Sequence, residues 1–216
     1  MTVCDCTETH VPRRIVLTGG PGAGKTAALE LIRRASFCEH VQILPEAAGI
    51  VFGGGSPRTR HVAARKAAQR AIFHVQRELE EAARAENAAV TLCDRGTVDG
   101  AAYWPGPDDY FAGVGTTLAE ELRRYDTVIH LRTPPLGNYN HHNPLRTESA
   151  FEAAEVDLRI LNIWASHPRR FVVDATSDFL VKAARVLELM RAEIPECCRH
   201  HIVPEIDHRT GVVTVP

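Results

Sequence analysis

An ammonium and a hydroxyl stand side by side at Lys25 and Thr26, directly after a run of small residues, Gly19–Gly20–Pro21–Gly22–Ala23–Gly24. Together these residues match G-x-x-x-x-G-K-[ST], in which each fixed position has a physical reason. The glycines let the backbone curl until consecutive N–H groups point at one anion. A helix beginning near Lys25 adds its positive end. Lys25 can then bridge the β- and γ-phosphates of a nucleoside triphosphate, and the Thr26 hydroxyl can ligate Mg²⁺.

Other charged residues extend that chemistry. Asp94 ends the apolar run VTLCD, where an acid can hold Mg²⁺ or its water; its competing role is an N-cap for the next segment. Hydrolytic motors commonly place a glutamate next, to polarise the attacking water. Here the next residue is Arg95. A cation cannot be that base, but it can hold a substrate oxyanion or an acid side chain, so a motor ATPase is disfavoured. Glu46 closes a second apolar run and could take a proton from an acceptor hydroxyl. The alternative is a first-turn acid favoured by a helix dipole. If Glu46 and Arg95 are neighbours, the arginine keeps the glutamate ionised and oriented.

Arg146, in NPLRTES, sits just before a helical stretch. An arginine closing over the phosphates there would stabilise charge on the equatorial oxygens; the alternative is a solvated cation. Arg132, His141 and His142 share the same polar stretch, and for each a surface role is favoured. Tyr103 and Trp104 suit either stacking on a substrate ring or ordinary core contacts. Cys93 reads as a small buried hydrophobe. Cys4 and Cys6 form C-x-C, and Cys197–Cys198 stands near His200 and His201. Zinc there would require the termini to meet, and the spacing fits no zinc pattern well.

These residues need a scaffold. Apolar runs at Arg13–Thr18, Val41–Leu44, Ala88–Cys93, Asp126–Leu131 and Phe171–Asp174 read as strands. Helical spacing falls on Lys25–Phe37, His61–Asn87, Thr116–Tyr125, Ser149–Ser166 and Asp178–Ala192, the last with Ser177 or Asp178 as cap. Gly49–Arg60 and Arg132–Thr147 read as loops. The alternation implies an α/β fold, a parallel sheet covered on both faces. Ligands in such sheets bind outside the carboxyl ends of the strands, where most of the candidate residues fall. The expected organisation is an N-terminal tail over 1–12, a nucleotide-binding domain over 13–194 and a C-terminal extension over 195–216. In that extension Ile202–Ile206 and Gly211–Val215 could pair as a hairpin.

The 216 residues carry 25 Lys and Arg against 27 Asp and Glu, a net charge of -2. A near-neutral chain has no global field for a nucleic-acid polymer. No apolar run is long enough to span a membrane, and MTVCDCTETHVPRR lacks an apolar leader core. Six cysteines are too sparse for a disulfide scaffold and read as reduced thiols, so the expected location is cytoplasmic. His61–Asn87 starts basic (Arg60, Arg65, Lys66, Arg70) and ends acidic, against the macrodipole. An anionic ligand near its start would explain that, as would a charged solvated face. Its alanine stripe suits either a homodimer contact or the sheet.

The order GGPGAGKT, LPEAAG, LCDRGTVDGAAYW, DTVIHLRTPP, NPLRTE and WASHP resembles a bacterial AAA-like P-loop family. That family includes the ribosylnicotinamide kinase domain of the NAD regulator proteins and is more distantly similar to deoxynucleoside and thymidylate kinases. The resemblance runs over Ile15–Ala184. It implies a kinase-like three-layer α/β/α P-loop fold with sheet order 2-3-1-4-5. It implies that Gly19–Thr26 holds the triphosphate and that Asp94–Arg95 acts as the kinases' acid–arginine pair. Glu46 falls at the candidate base and Arg146 where those kinases carry lid arginines. No [NT]-K-x-D stretch is present for selecting guanine, and the lid stretch HHNPLRTE holds a single arginine. The expected activity is transfer of phosphoryl from ATP, or GTP, with Mg²⁺, to a small hydroxyl-bearing and nucleoside-like metabolite. The alternatives are a nucleotide-dependent switch that binds a protein or lipid, and a slow NTPase.

Overall fold

The computed structural model describes residue 6, residues 10–35, 40–134, 149–176 and 178–197, and the backbone of 205–206 and 213–214. The apolar runs become strands β1 (Arg13–Thr18), β2 (Val41–Leu44), β3 (Val90–Asp94), β4 (Thr127–Leu131) and β5 (Arg170–Val173). They form one parallel sheet of order β2-β3-β1-β4-β5, as the resemblance implied. β3 and β4 are buried at every residue, which a sheet covered on both faces requires of its inner strands.

The helices are α1 (Lys25–Ala35), α2 (Ala47–Gly53), α3 (Val62–Ala85), α4 (Gly100–Tyr103), α5 (Tyr110–Val114), α6 (Leu118–Leu122), α7 (Ala150–Ile163) and α8 (Phe179–Arg191). Alternate strand residues face opposite layers. Ile15 and Leu17 pack with Leu29 and Ile32 of α1 and with Val186, Leu187 and Met190 of α8. Val16 between them packs with Ala83 of α3, with Val156 and Ile160 of α7 and with Trp164. The result is a three-layer α/β/α sandwich. Local capping agrees with it: Ser149 and Glu152 form a capping box on α7, and the Asp178 carboxylate accepts the Leu180 N–H at the start of α8.

The structure differs from the sequence reading in places. Gly49–Arg60 is not all loop, because α2 occupies its first residues. Ala47 is buried and α2 lies against α3, so tertiary contact overrides the cost of Gly49 in a helix. The glycine run then stops the helix, with Gly54 N–H donating to Ile50 O at 2.8 Å and Gly55 at a φ of 101°. Between Asp94 and Thr116 the chain adds a 3₁₀ turn at Thr97–Asp99 and the short helices α4 and α5. In the C-terminal extension β6 (Glu205–Ile206) and β7 (Val213–Thr214) pair antiparallel. Among the described residues no helix is long and apolar enough to cross a membrane.

Candidate functional site

The loop after β1 is shaped by three positive φ angles: Gly19 at 136°, Gly22 at 77° and Gly24 at 92°. A Cβ on Gly19 would lie 2.0 Å from Leu131 O, so the loop sits directly on the end of β4. Its carbonyls are held from several sides. Lys25 Nζ donates to Gly19 O at 2.9 Å and to Gly20 O at 3.0 Å. Thr133 Oγ1 donates to Pro21 O at 3.1 Å, and Lys182 Nζ to Ala23 O at 2.8 Å. Asp157 Oδ1 accepts the Gly20 N–H at 2.9 Å. The first turn of α1 leaves its own amides without intrahelical acceptors and holds no acid to neutralise them. Carbonyls fixed by donors and amides left over at a helix start make an anion nest.

Burial lowers the Lys25 pKa to about 8, and the Arg95 charge lowers it too. The negative charge of an approaching polyphosphate would oppose both effects. Beside it, Thr26 Oγ1 donates to Asp94 Oδ2 at 3.0 Å. Asp94 is buried, and its Oδ1 has no hydrogen-bond partner among the described residues. Burial raises its pKa although Lys25 opposes the shift. An orphaned carboxylate oxygen next to a hydroxyl is a donor set of the oxygen-only kind that Mg²⁺ takes. The cap role for Asp94 fails, since the N-cap of the 3₁₀ turn is Gly96.

Glu46 and Arg95 are neighbours. Arg95 Nε donates to Glu46 Oε1 at 2.7 Å, and its Nη1 donates to Gly19 O at 3.2 Å and to Asp99 Oδ2 at 3.3 Å. Glu46 stands at the N-cap of α2 yet its side chain makes no capping hydrogen bond. The carboxylate takes the Arg95 guanidinium as its hydrogen-bond partner and no amide of the helix. Burial pushes its pKa up, but the charges of Arg95 and Lys25 and the Arg95 hydrogen bond prevail and leave it below the usual range. Arg95 holds a φ of 75°, an uncommon left-handed backbone for a side-chain-bearing residue. Its guanidinium lies 5.5 Å from the Tyr103 ring centroid.

Several participants escaped the sequence reading. Buried Asp99 accepts from Thr18 Oγ1 at 2.7 Å and from Trp164 Nε1 at 2.6 Å as well as from Arg95. Asp157 also takes Arg132 Nε at 2.6 Å and meets His130 Nε2 at 2.9 Å. Lys182 reaches Arg132 O at 2.6 Å in addition to the loop. The signal was available: Asp157 and Lys182 are charged residues on the apolar stripes of α7 and α8. Arg132 is thus paired and not a free surface cation. Trp104 stacks edge-on with Tyr110 at 5.4 Å, which favours the packing role for it.

At the basic start of α3, Lys66 pairs with Asp108 and Arg65 donates to Tyr103 O. Cys93 is fully buried, with its thiol pKa pushed up by that burial. Arg146, His141, His142, Cys4, Cys198, His200 and His201 lie outside the described residues.

A family model described as an AAA domain matches residues 14–179. No curated protein matches the chain. Among solved structures, thymidylate kinase from Candida albicans aligns at a TM-score of 0.60 and 14% identity, covering 90% of this chain and 96% of that one. A structure of NadR protein in complex with NAD and AMP-PNP aligns at a TM-score of 0.57 and 14% identity, covering 84% of this chain and 49% of that one. At these identities the likeness is one of fold.

Proposed function

The chain belongs to the AAA domain family, and from that premise we propose that it is a Mg²⁺-dependent phosphotransferase, moving the γ-phosphoryl group of ATP to a hydroxyl of a small, nucleoside-like metabolite. One observation carries this reading: the Glu46 carboxylate leaves its helix uncapped and faces the cleft on Arg95, beside Lys25, Thr26 and Asp94. The fold neighbours support it, one being a thymidylate kinase and the other a protein captured with AMP-PNP.

The loop amides and Lys25 hold the β- and γ-phosphates, Lys25 exchanging the Gly19 and Gly20 carbonyls for phosphate oxygens. Thr26 and Asp94 would hold Mg²⁺, which screens the charge shared by the β- and γ-oxygens. Glu46 accepts the acceptor's hydroxyl proton as its oxygen bonds to γ-phosphorus and the bond to the β-bridging oxygen breaks, releasing ADP. Arg95 keeps Glu46 ionised and oriented. Arg146 is proposed to close over the transferring group.

The test is a thermal-shift screen of hydroxyl-bearing metabolites with a non-hydrolysable ATP analogue and Mg²⁺, followed by ADP release with any acceptor found. Glu46→Gln should lower kcat by about 10²–10⁴-fold with nucleotide binding intact. Lys25→Ala should abolish transfer. Acceptor-independent phosphate release that Glu46→Gln leaves unchanged would sink the proposal in favour of an NTPase.

A further inference from the structure

Far from the phosphate loop, four metal-ligating side chains from distant parts of the chain converge. Cys6 and His10 precede β1, His40 precedes β2, and Cys197 follows α8. One ligand atom from each lies within 4.8 Å of all the others. His10 Nε2 is 3.3 Å from both Cys6 Sγ and Cys197 Sγ. The His10 and His40 rings meet edge to face, with centroids 5.2 Å apart. Cys6 and Cys197 are thiols, and both pack against the core cluster between the sheet and α1/α8.

We propose that Cys6, His10, His40 and Cys197 form a structural Zn²⁺ site. With Zn–S near 2.3 Å and Zn–N near 2.0–2.1 Å, a tetrahedral ion holds sulfur and nitrogen ligands about 3.6 Å apart and two sulfurs about 3.8 Å apart. The spacing seen here needs only tenths of an ångström of adjustment on the His10 contacts. Two thiolates and two imidazoles are a borderline-soft set, which selects zinc over Mg²⁺ or Ca²⁺. Four protein ligands leave no open position, so the site is of the closed, structural kind. Binding releases the two thiol protons to solvent and leaves a neutral centre.

Position argues the same way. Val90 N–H donates to His40 O at 3.0 Å, and Val90 pairs with Arg13 and Val41 at the first residues of their strands. The cluster therefore sits at the amino edge of the sheet, opposite the end that carries the phosphate loop. It joins the segment before β1 and the segment after α8 to the sheet. The linear spacing fits no zinc pattern because the ligands are gathered by the fold.

The test uses the full chain without a polyhistidine tag, reduced and nucleotide-free. Elemental analysis should find zinc stoichiometric with protein, and Asp94→Asn should retain it, which separates this site from the nucleotide cleft. Cobalt(II) in place of zinc should give thiolate-to-cobalt charge transfer with the strong visible bands of a tetrahedral field. A chelator should lower the Tm by about 10 °C, restored by zinc. Cys197→Ser and His40→Ala should each lose stoichiometric metal. Failure of the reduced protein to take up zinc, or uptake unchanged in the Cys6→Ser/Cys197→Ser double variant, would overturn the assignment. The cobalt spectrum of the unmutated chain decides the matter even where a variant fails to fold.

Discussion

Among the described residues Lys25 donates to the Gly19 and Gly20 carbonyls, and burial brings its pKa down to about 8. A polyphosphate binds the protonated form, so the sign is fixed. Above pH 8 the free protein has lost that proton and must regain it, and affinity falls as pH rises. Calorimetry at pH 8.5 in buffers of different ionisation enthalpy should reveal net proton uptake on nucleotide binding. None would show that Lys25 stays charged in the free protein. Arg95 is the complementary case. It joins Glu46, Gly19 and Asp99, and Arg95→Ala would strand the buried Asp99 carboxylate. A loss of about 3–5 kcal/mol in urea unfolding is expected, in line with breaking other buried pairs. A change below about 1 kcal/mol would mean that Thr18 and Trp164 satisfy Asp99 alone.

The phosphate loop owes its shape to elements far along the chain. α7 supplies Asp157 to the Gly20 amide, α8 supplies Lys182 to the Ala23 carbonyl, and β4 abuts Gly19. Such a loop is rigid, which two glycine substitutions would separate from mere backbone preference. A Cβ on Gly20 meets Thr133 Oγ1 at 2.4 Å and the Asp157 Cβ at 2.7 Å. Gly20→Ala should destabilise by about 1–3 kcal/mol and weaken nucleotide binding at least tenfold. Gly55, in the turn after α2, has open space around it and a φ of 101°. Gly55→Ala should lose about 1–2 kcal/mol from conformation alone, with nucleotide binding kept. Equal nucleotide affinities in the two variants would contradict a tightly seated loop.

Across the whole molecule, Asp157 ties sheet, loop and helix layer together through His130, Gly20 and Arg132. Burial pushes its pKa up, but hydrogen bonds from those groups bring it from the ordinary 3.8 down to about 2. A depressed carboxylate contributes stability in full above the unfolded value, and loses it as pH falls through the folded one. The contribution is worth about 2 kcal/mol and should disappear between about pH 4 and pH 2. Asp157→Asn should therefore be less stable at neutral pH and show a shallower fall of Tm through that acid window. Parallel Tm–pH curves for the two proteins would assign the acid transition to other carboxylates.

Strand and helix alternation, the phosphate loop and the place of Asp94 at a strand end were legible because each depends on neighbours a few positions away. Hydrophobic period, glycine spacing and strand-end acids are local signals. The partner of the Glu46 carboxylate was not local: sequence places an acid after a strand and at a helix start, and only the fold brings Arg95 within 2.7 Å of it. Asp99, Asp157 and Lys182 acquire meaning only when helices close over the loop, and His10 and His40 only when the segment before β1 meets the segment after α8. Sequence spacing fixes what a segment can form by itself; which polar groups become partners depends on burial between layers, where an unpaired charge is too costly to leave.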